Sequence, residues 1–184
     1  ARNVGIWRDG RLMATDGVAF GDAEVITDLP RPEVSSADLT VKTVLLFEKR
    51  IDGKNIDIQG LDTEKLYVNA DMDLVQQVIY NLTENAVKFV NEGGYISYSF
   101  GVEDGMAAVV IRNSGEGLKK NEINKVFDRF YKTDESRGKD KTGVGLGLSI
   151  VRSIIKLHNG SVLVRSKAGE YTEFEFTLPL GSRS

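Results

Sequence analysis

Two glycine clusters, an asparagine-bearing helix and a basic loop carry most of the chemistry legible in this chain. The first cluster is Asn113-Ser114-Gly115-Glu116-Gly117, which follows the apolar, strand-like run Ala107-Ala108-Val109-Val110-Ile111. The second is Gly143-Val144-Gly145-Leu146-Gly147-Leu148, which opens the apolar-periodic segment from Ser149 to Leu157. A helix that starts after glycines offers unpaired N–H groups and the positive end of its dipole to an anion. One such cluster recurs by chance. Two of them, beside the helix upstream, read as one phosphate-binding device. On that helix Asn81, Asn85 and Lys88 fall at i, i+4 and i+7 and share a face. An amide oxygen is a hard neutral ligand for Mg²⁺, and a lysine meets a phosphate as a point charge. Alone, such a face is more often merely solvated; with the glycine clusters the binding reading leads. Between the clusters, residues 118–142 form a polar loop carrying Lys132, Thr133, Ser136, Arg137, Lys139, Lys141 and Thr142. Loops of that length inside compact domains are usually functional or disordered. Basic residues on one, beside a phosphate-binding helix, suggest a lid over a polyphosphate.

These residues need a scaffold, and the hydrophobic pattern supplies one. Ser36 or Asp38 caps a helix with Val44, Leu45, Phe47 and Ile51 on its apolar face. Two short strands follow, over Asn55–Leu61 and Lys65–Ala70. Asp71 or Asp73 starts a long helix to about Val90, buried along Leu74, Val78, Leu82 and Ala86. Tyr95–Val102 and Met106–Arg112 form a hairpin through Glu103-Asp104-Gly105. A second helix runs from Gly143 to about His158, ended by Asn159-Gly160 in left-handed fashion. Ser161–Ser166 and Tyr171–Leu178 close the chain as another hairpin. The expected fold is an α/β two-layer sandwich, a mixed sheet of five or six strands covered on one face by three helices. Residues 1–35 are least legible: a possible hairpin around Arg8-Asp9-Gly10, then the extended Leu29-Pro30-Arg31-Pro32, read as a linker or N-terminal extension. Residues 36–184 are the expected main domain.

Composition narrows the function classes. The 184 residues, 41% hydrophobic and 28% charged, are ordinary for one soluble globular domain. A net charge of −3 argues against a nucleic-acid-binding surface. Without cysteine there is no disulfide framework and no thiolate metal site, which fits a cytoplasmic setting. No apolar run approaches the roughly 20 residues that span a bilayer, and no signal peptide is visible. Direct membrane contact by this segment is not expected, and a parent protein anchored in the inner or plasma membrane is compatible with that.

With these motifs in order, the chain resembles the catalytic, ATP-binding domain of bacterial sensor histidine kinases. That domain has the Bergerat fold of the GHKL superfamily, shared with gyrase and MutL. Asn81-Leu82-Thr83-Glu84-Asn85-Ala86-Val87-Lys88-Phe89 is similar to the family's N box, and Asn113 to Gly117 stands at its first glycine box. Val126-Phe127-Asp128-Arg129-Phe130-Tyr131 matches the F box, and Gly143 to Leu148 the second glycine box. The F box points to histidine kinases over the other branches. The resemblance implies that Asn85 ligates Mg²⁺, Asn81 supports the phosphate and metal end, Lys88 reaches the phosphates and Phe89 packs by the adenine. It implies that Gly115 and Gly117 let the backbone pass close to base and ribose. Phe130, Tyr131, Lys132 and Thr142 would flank the nucleotide, while Gly143, Val144, Gly145, Leu146, Gly147 and Leu148 hold phosphates. Lys132 or Arg137 would approach the γ-phosphate. Phosphoryl transfer needs mostly positioning and charge neutralisation, so this inventory suffices for the ATP half of a kinase.

Two departures matter. The first glycine box normally opens with an aspartate that accepts from the adenine amino group; here Asn113 stands there. An amide oxygen still accepts that bond, with charge assistance of about 1 kcal/mol lost. A flipped amide would also donate to guanine, so weaker discrimination against GTP is expected. Second, the phosphoacceptor is missing. The only histidine, His158, sits at a helix end and reads as a packing or capping residue. The expected partners are therefore a histidine-bearing dimerisation domain of the same parent and, downstream, a response regulator. The isolated chain is expected to be a monomer that binds Mg-ATP without phosphorylating itself. The alternative is an ATP-binding regulatory or pseudokinase module. A gyrase-type ATPase is disfavoured, since Glu84 directly precedes Asn85 instead of lying a turn earlier.

Overall fold

The computed structural model describes residues 34–61, 66–132 and 144–181. The expected hairpin and linker at the N-terminus lie outside the described residues. In chain order the elements are β1 (Val34–Ser35), α1 (Ser36–Leu45), α2 (Glu48–Gly53), β2 (Asp57–Gln59), β3 (Tyr67–Val68) and α3 (Met72–Phe89). Then follow β4 (Tyr95–Glu103), β5 (Met106–Ser114), α4 (Lys120–Ile123), α5 (Gly147–Leu157), β6 (Val162–Lys167) and β7 (Tyr171–Pro179).

Helix α3 is the spine of the site. Asp71 caps it, its carboxylate accepting from the backbone N–H groups of Asp73 and Leu74. Val75, Val78, Ile79, Leu82, Ala86 and Val87 are buried at helical spacing, and Leu74 is half-buried at the rim of this stripe. Burying a side chain such as Leu82 contributes about 1.5–3 kcal/mol relative to leaving it in water. The polar face opposite is thereby fixed in orientation.

The main sheet has five strands in the order β2-β4-β5-β7-β6. Strand β2 runs parallel to β4, and the other neighbours are antiparallel, so the sheet is mixed as expected. The β4–β5 hairpin turns through Asp104 and Gly105 with φ of 50° and 75°, the geometry of a tight two-residue connection. Ile96, Tyr98, Val109, Ile111, Phe174 and Phe176 form the buried face toward the helices. Helix α3 lies against β5 and α5, α5 against β6 and β7, and α1 against α3. Under α3, the Tyr98 hydroxyl donates to Thr83 Oγ1 at 3.2 Å. Burial pushes this phenol up to about 12, the hydrogen bond to Thr83 acting in the opposite sense.

Three expectations are corrected. The helix expected to run to Ile51 divides into α1 and α2, because Leu46 and Phe47 turn on bonds to the carbonyls of Thr43 and Val44. Phe47 then swings inward to pack on Tyr80, with ring centroids 5.2 Å apart. Leu45, expected on the buried face, is 62% exposed; Leu39, Thr40, Thr43 and Val44 face inward instead. The buried Thr43 hydroxyl is satisfied by donating to Leu39 O at 2.8 Å. The two short strands after α2 enter different sheets. Strand β2 joins the main sheet, while β3 pairs with β1 through Val34↔Val68 and Ser35↔Tyr67. The second long helix begins at Gly147, later than Gly143, since Val144 to Leu146 are non-helical.

Candidate functional site

The polar face of α3 meets the start of α5. Asn81, Asn85 and Lys88 are half-buried along it. Asn81 Nδ2 is buried and has no hydrogen-bond partner among the described residues. An unpaired buried amide costs about 1–3 kcal/mol, which a bound acceptor would offset. Asn81 Oδ1 lies only 3.3 Å from where a side chain on Gly147 would begin, so that glycine leaves room for the carboxamide. The start of α5 has no side-chain cap and no acidic residue in its first turn. The Ser149 hydroxyl donates backward to Leu146 O at 2.8 Å and does not cap. An uncapped helix start with an orphan amide beside it is suited to an anion.

The C-terminal end of α3 meets the first glycine cluster. Lys88 Nζ lies 5.0 Å from the centre of the Phe89 ring, a cation–π arrangement. A side chain on Gly115 would come within 2.5 Å of Phe89 O, and one on Gly117 within 2.4 Å of Lys167 O. The space at these glycines is thus taken by the protein's own backbone. The cluster is also tied to the β6–β7 turn: Gly115 N donates to Glu170 O at 3.1 Å and Gly169 N to Glu116 O at 2.7 Å. Leu118 N donates to Ser166 Oγ at 2.8 Å. Ser114 Oγ accepts from Tyr95 N at 2.9 Å and donates to Asn91 Oδ1 at 2.7 Å, joining the cluster to the chain leaving α3.

Asn113 is buried on β5, and its Nδ2 donates to Ser114 O at 3.0 Å. Turning the amide over would set its oxygen against that carbonyl oxygen. The expected flip toward guanine is therefore opposed by the local hydrogen bonding.

The F-box segment packs by its apolar members. Val126 is buried and Phe127 meets Phe174 edge-on, with centroids 6.1 Å apart. Phe130 N donates to Gly145 O at 3.0 Å, fastening the F box to the second glycine cluster. The Phe130 ring is exposed and its backbone has φ of 63°, unusual for a bulky residue. Tyr131, Lys132, Gly145, Leu146 and Leu148 are half-buried nearby in sequence, and Val144 is exposed. Thr133, Ser136, Arg137, Lys139, Lys141, Thr142 and Gly143 lie outside the described residues.

Residues 70–182 match the family model described as histidine kinase-, DNA gyrase B-, and HSP90-like ATPase. The chain is 31% identical to the catalytic domain of histidine kinase ThkA, with a TM-score of 0.69, over 80% of this chain and 96% of that one. The chain belongs to this ATPase family, as a histidine-kinase-type catalytic domain. It is also 37% identical over 124 residues to the sensor histidine kinase WalK of Bacillus subtilis strain 168. That match covers 66% of this chain and 20% of WalK, so the chain spans about a fifth of that relative's length. A ThkA structure in complex with the response regulator protein TrrA matches with a TM-score of 0.67 and 30% identity, over 81% of this chain and 41% of that one.

Within the domain, His158 has a structural role. Its Nε2 accepts from Asp71 N at 3.0 Å, which leaves Nδ1 to donate to Ile154 O at 2.8 Å. The ring is buried and bridges the end of α5 to the cap of α3. With both nitrogens engaged, it is not available as a nucleophile, in line with its reading as a packing residue. No helix among the described residues is long and apolar enough to cross a membrane. Sequence reasoning missed Lys54, Asn91 and Ser166, all of which hold the site's loops. Their signal is tertiary: each partner lies far along the chain or across a strand pair.

Proposed function

We propose that residues 36–184 bind Mg-ATP between α3, the Asn113–Gly117 loop and the start of α5. The γ-phosphoryl group then passes to a histidine on a separate dimerisation domain of the same parent, and onward to a response regulator. The observation that carries this reading is the orphan Nδ2 of Asn81 beside the uncapped start of α5. A phosphate oxygen there satisfies the amide and the helix N–H groups together. The donor set fits a Mg²⁺ that arrives with the phosphates. Asn85 supplies one hard amide oxygen, and no group of three His, Cys, Asp or Glu among the described residues forms a protein-only cage. When bound, Mg-ATP supplies the transferable phosphoryl group and neutralises part of its charge.

The chain's own residues do the positioning. Asn81 and the N–H groups at Gly145, Leu146, Gly147 and Leu148 hold the phosphates in line. Lys88 approaches them from the same helix face, and Lys132 or Arg137 does so from the lid. Asn113 accepts from the adenine amino group with an oxygen whose partner NH₂ is already anchored to Ser114 O. Phe89, Phe130 and Tyr131 flank the base and exclude water. The commitment of His158 to Ile154 and Asp71 supports a receiving histidine on another domain. The reading is supported by the family membership and by the complex of ThkA with a response regulator. The test is to incubate this chain with the parent's histidine-bearing domain, Mg²⁺ and ATP, and to assay acid-labile phosphate. Phosphate on that domain is expected. Mg-ATP binding without any transfer would instead support a regulatory module.

A further inference from the structure

An α-helix ends with unpaired carbonyls, most often answered by a left-handed glycine just beyond the last turn. Helix α3 ends differently. Its C-cap residue, Val90, is extended with φ of −61° and ψ of 140°, and neither Val90 nor Asn91 is left-handed. The carbonyls are answered from another element. Lys54, just beyond α2, donates from Nζ to Val87 O at 2.9 Å, Lys88 O at 3.2 Å and Val90 O at 3.3 Å. An ammonium carries three protons, so it can serve several carbonyls of one helix end at once. Its charge also faces the negative end of the α3 dipole. The backbone fastens the same place: Gly93 N donates to Lys54 O at 2.8 Å, and Asp57 N to Gly94 O at 2.9 Å.

That last turn carries Lys88 and Phe89, with Asn85 one turn before Phe89, and Phe89 O is the atom over which Gly115 closes. We propose that Lys54 is a positioning residue for the nucleotide site, holding the C-terminal turn of α3 so that Lys88, Phe89 and the first glycine cluster keep their mutual placement. The role rests on the proposed function, since it is exerted on residues assigned there to Mg-ATP. Lys54 acts through those residues and does not itself touch the ligand. An arginine, which also carries several donors on a long stem, would preserve much of the clamp; a methionine of similar length would not.

The test compares wild type, Lys54→Met, Lys54→Arg and Leu178→Ala, at a temperature where circular dichroism shows each to be folded. Leu178 is buried on β7 opposite Ala107, at the far end of that strand from Asn113, and serves as a destabilised control. Calorimetric titration with Mg-ATP is paired with amide hydrogen exchange over residues 86–94. Lys54→Met is expected to weaken Mg-ATP binding by about tenfold or more, as lost charge-assisted hydrogen bonds would, and to speed exchange in that segment. Lys54→Arg should recover most of both, and Leu178→Ala should bind as wild type does. Wild-type affinity in folded Lys54→Met, or an equal loss of affinity in Leu178→Ala, overturns the role alone. Failure of the wild type to bind Mg-ATP overturns the proposed function and this role together.

Discussion

Replacing Gly147 with alanine separates stability from binding at the joint between α3 and α5. Gly147 is the first residue of α5, and a methyl group there would lie 3.3 Å from Asn81 Oδ1 and 3.7 Å from its Cγ. The contact is tight, but it is made with the end of a side chain that can retreat by a few tenths of an ångström. Against it stands the helix preference for alanine over glycine, at most about 0.8–1.0 kcal/mol. The melting temperature should therefore hold or rise, by up to about 2–4 °C for a domain of this size. Binding should move the other way. Displacing Asn81 removes a hydrogen bond to a charged phosphate, a loss of about 1.5–3 kcal/mol, or about 10–150-fold in Kd. Thermal melts and calorimetric titration with Mg-ATP read the two effects separately. A double-mutant cycle with Asn81→Ala identifies the route. If Asn81 mediates the loss, Gly147→Ala adds little to Asn81→Ala. Wild-type affinity in Gly147→Ala, or full additivity in the double variant, would refute this reasoning.

Other outcomes follow from the same geometry. Gly117→Ala should lower stability by about 2–4 kcal/mol, because φ is 69° and the new methyl group would meet Lys167 O at 2.4 Å; an unshifted urea midpoint would count against it. Wild type should bind ATP more tightly than GTP, since the Asn113 NH₂ is held by Ser114 O; equal affinities by calorimetry would show that the amide turns over. Tyr98, whose hydroxyl is pushed up to about 12 when folded, ionises near 10 when unfolded. The native state therefore holds this proton more tightly, and stability falls as pH rises from 10 toward 12, by about 2–3 kcal/mol. Tyr98→Phe should flatten that fall in pH-dependent urea denaturation, and an unchanged slope would rule Tyr98 out as its source.

The sequence made α3 and the two hairpins legible because their periodicities are local. The Asp71 cap, the buried stripe from Val78 to Ala86 and the Asp104-Gly105 turn each depend on a few neighbouring residues. The N box and both glycine clusters could be read for the same reason. What could not be read depends on distant pairing. Nothing near Asp57–Gln59 announces a parallel partner at Tyr95–Ser97, and nothing near Lys54 announces carbonyls at Val87 and Val90. Leu45 looked buried because a single helix through Ile51 puts it on the inner face; the turn at Leu46–Phe47 rotates that face away. The glycines were the subtlest case. Their spacing marked a site, but only the fold shows that Gly115 and Gly117 make room for Phe89 and Lys167 backbone.

Asn81 and the uncapped start of α5 are assigned as the phosphate end of the proposed Mg-ATP site. The most direct test of this assignment is calorimetric titration of wild type and Asn81→Ala with ATP, each with and without Mg²⁺. Micromolar to sub-millimolar, Mg-dependent binding is expected in wild type, with a marked loss in a folded Asn81→Ala protein. Wild type that takes up no ATP at millimolar concentration, or Asn81→Ala that binds as wild type does, would contradict it.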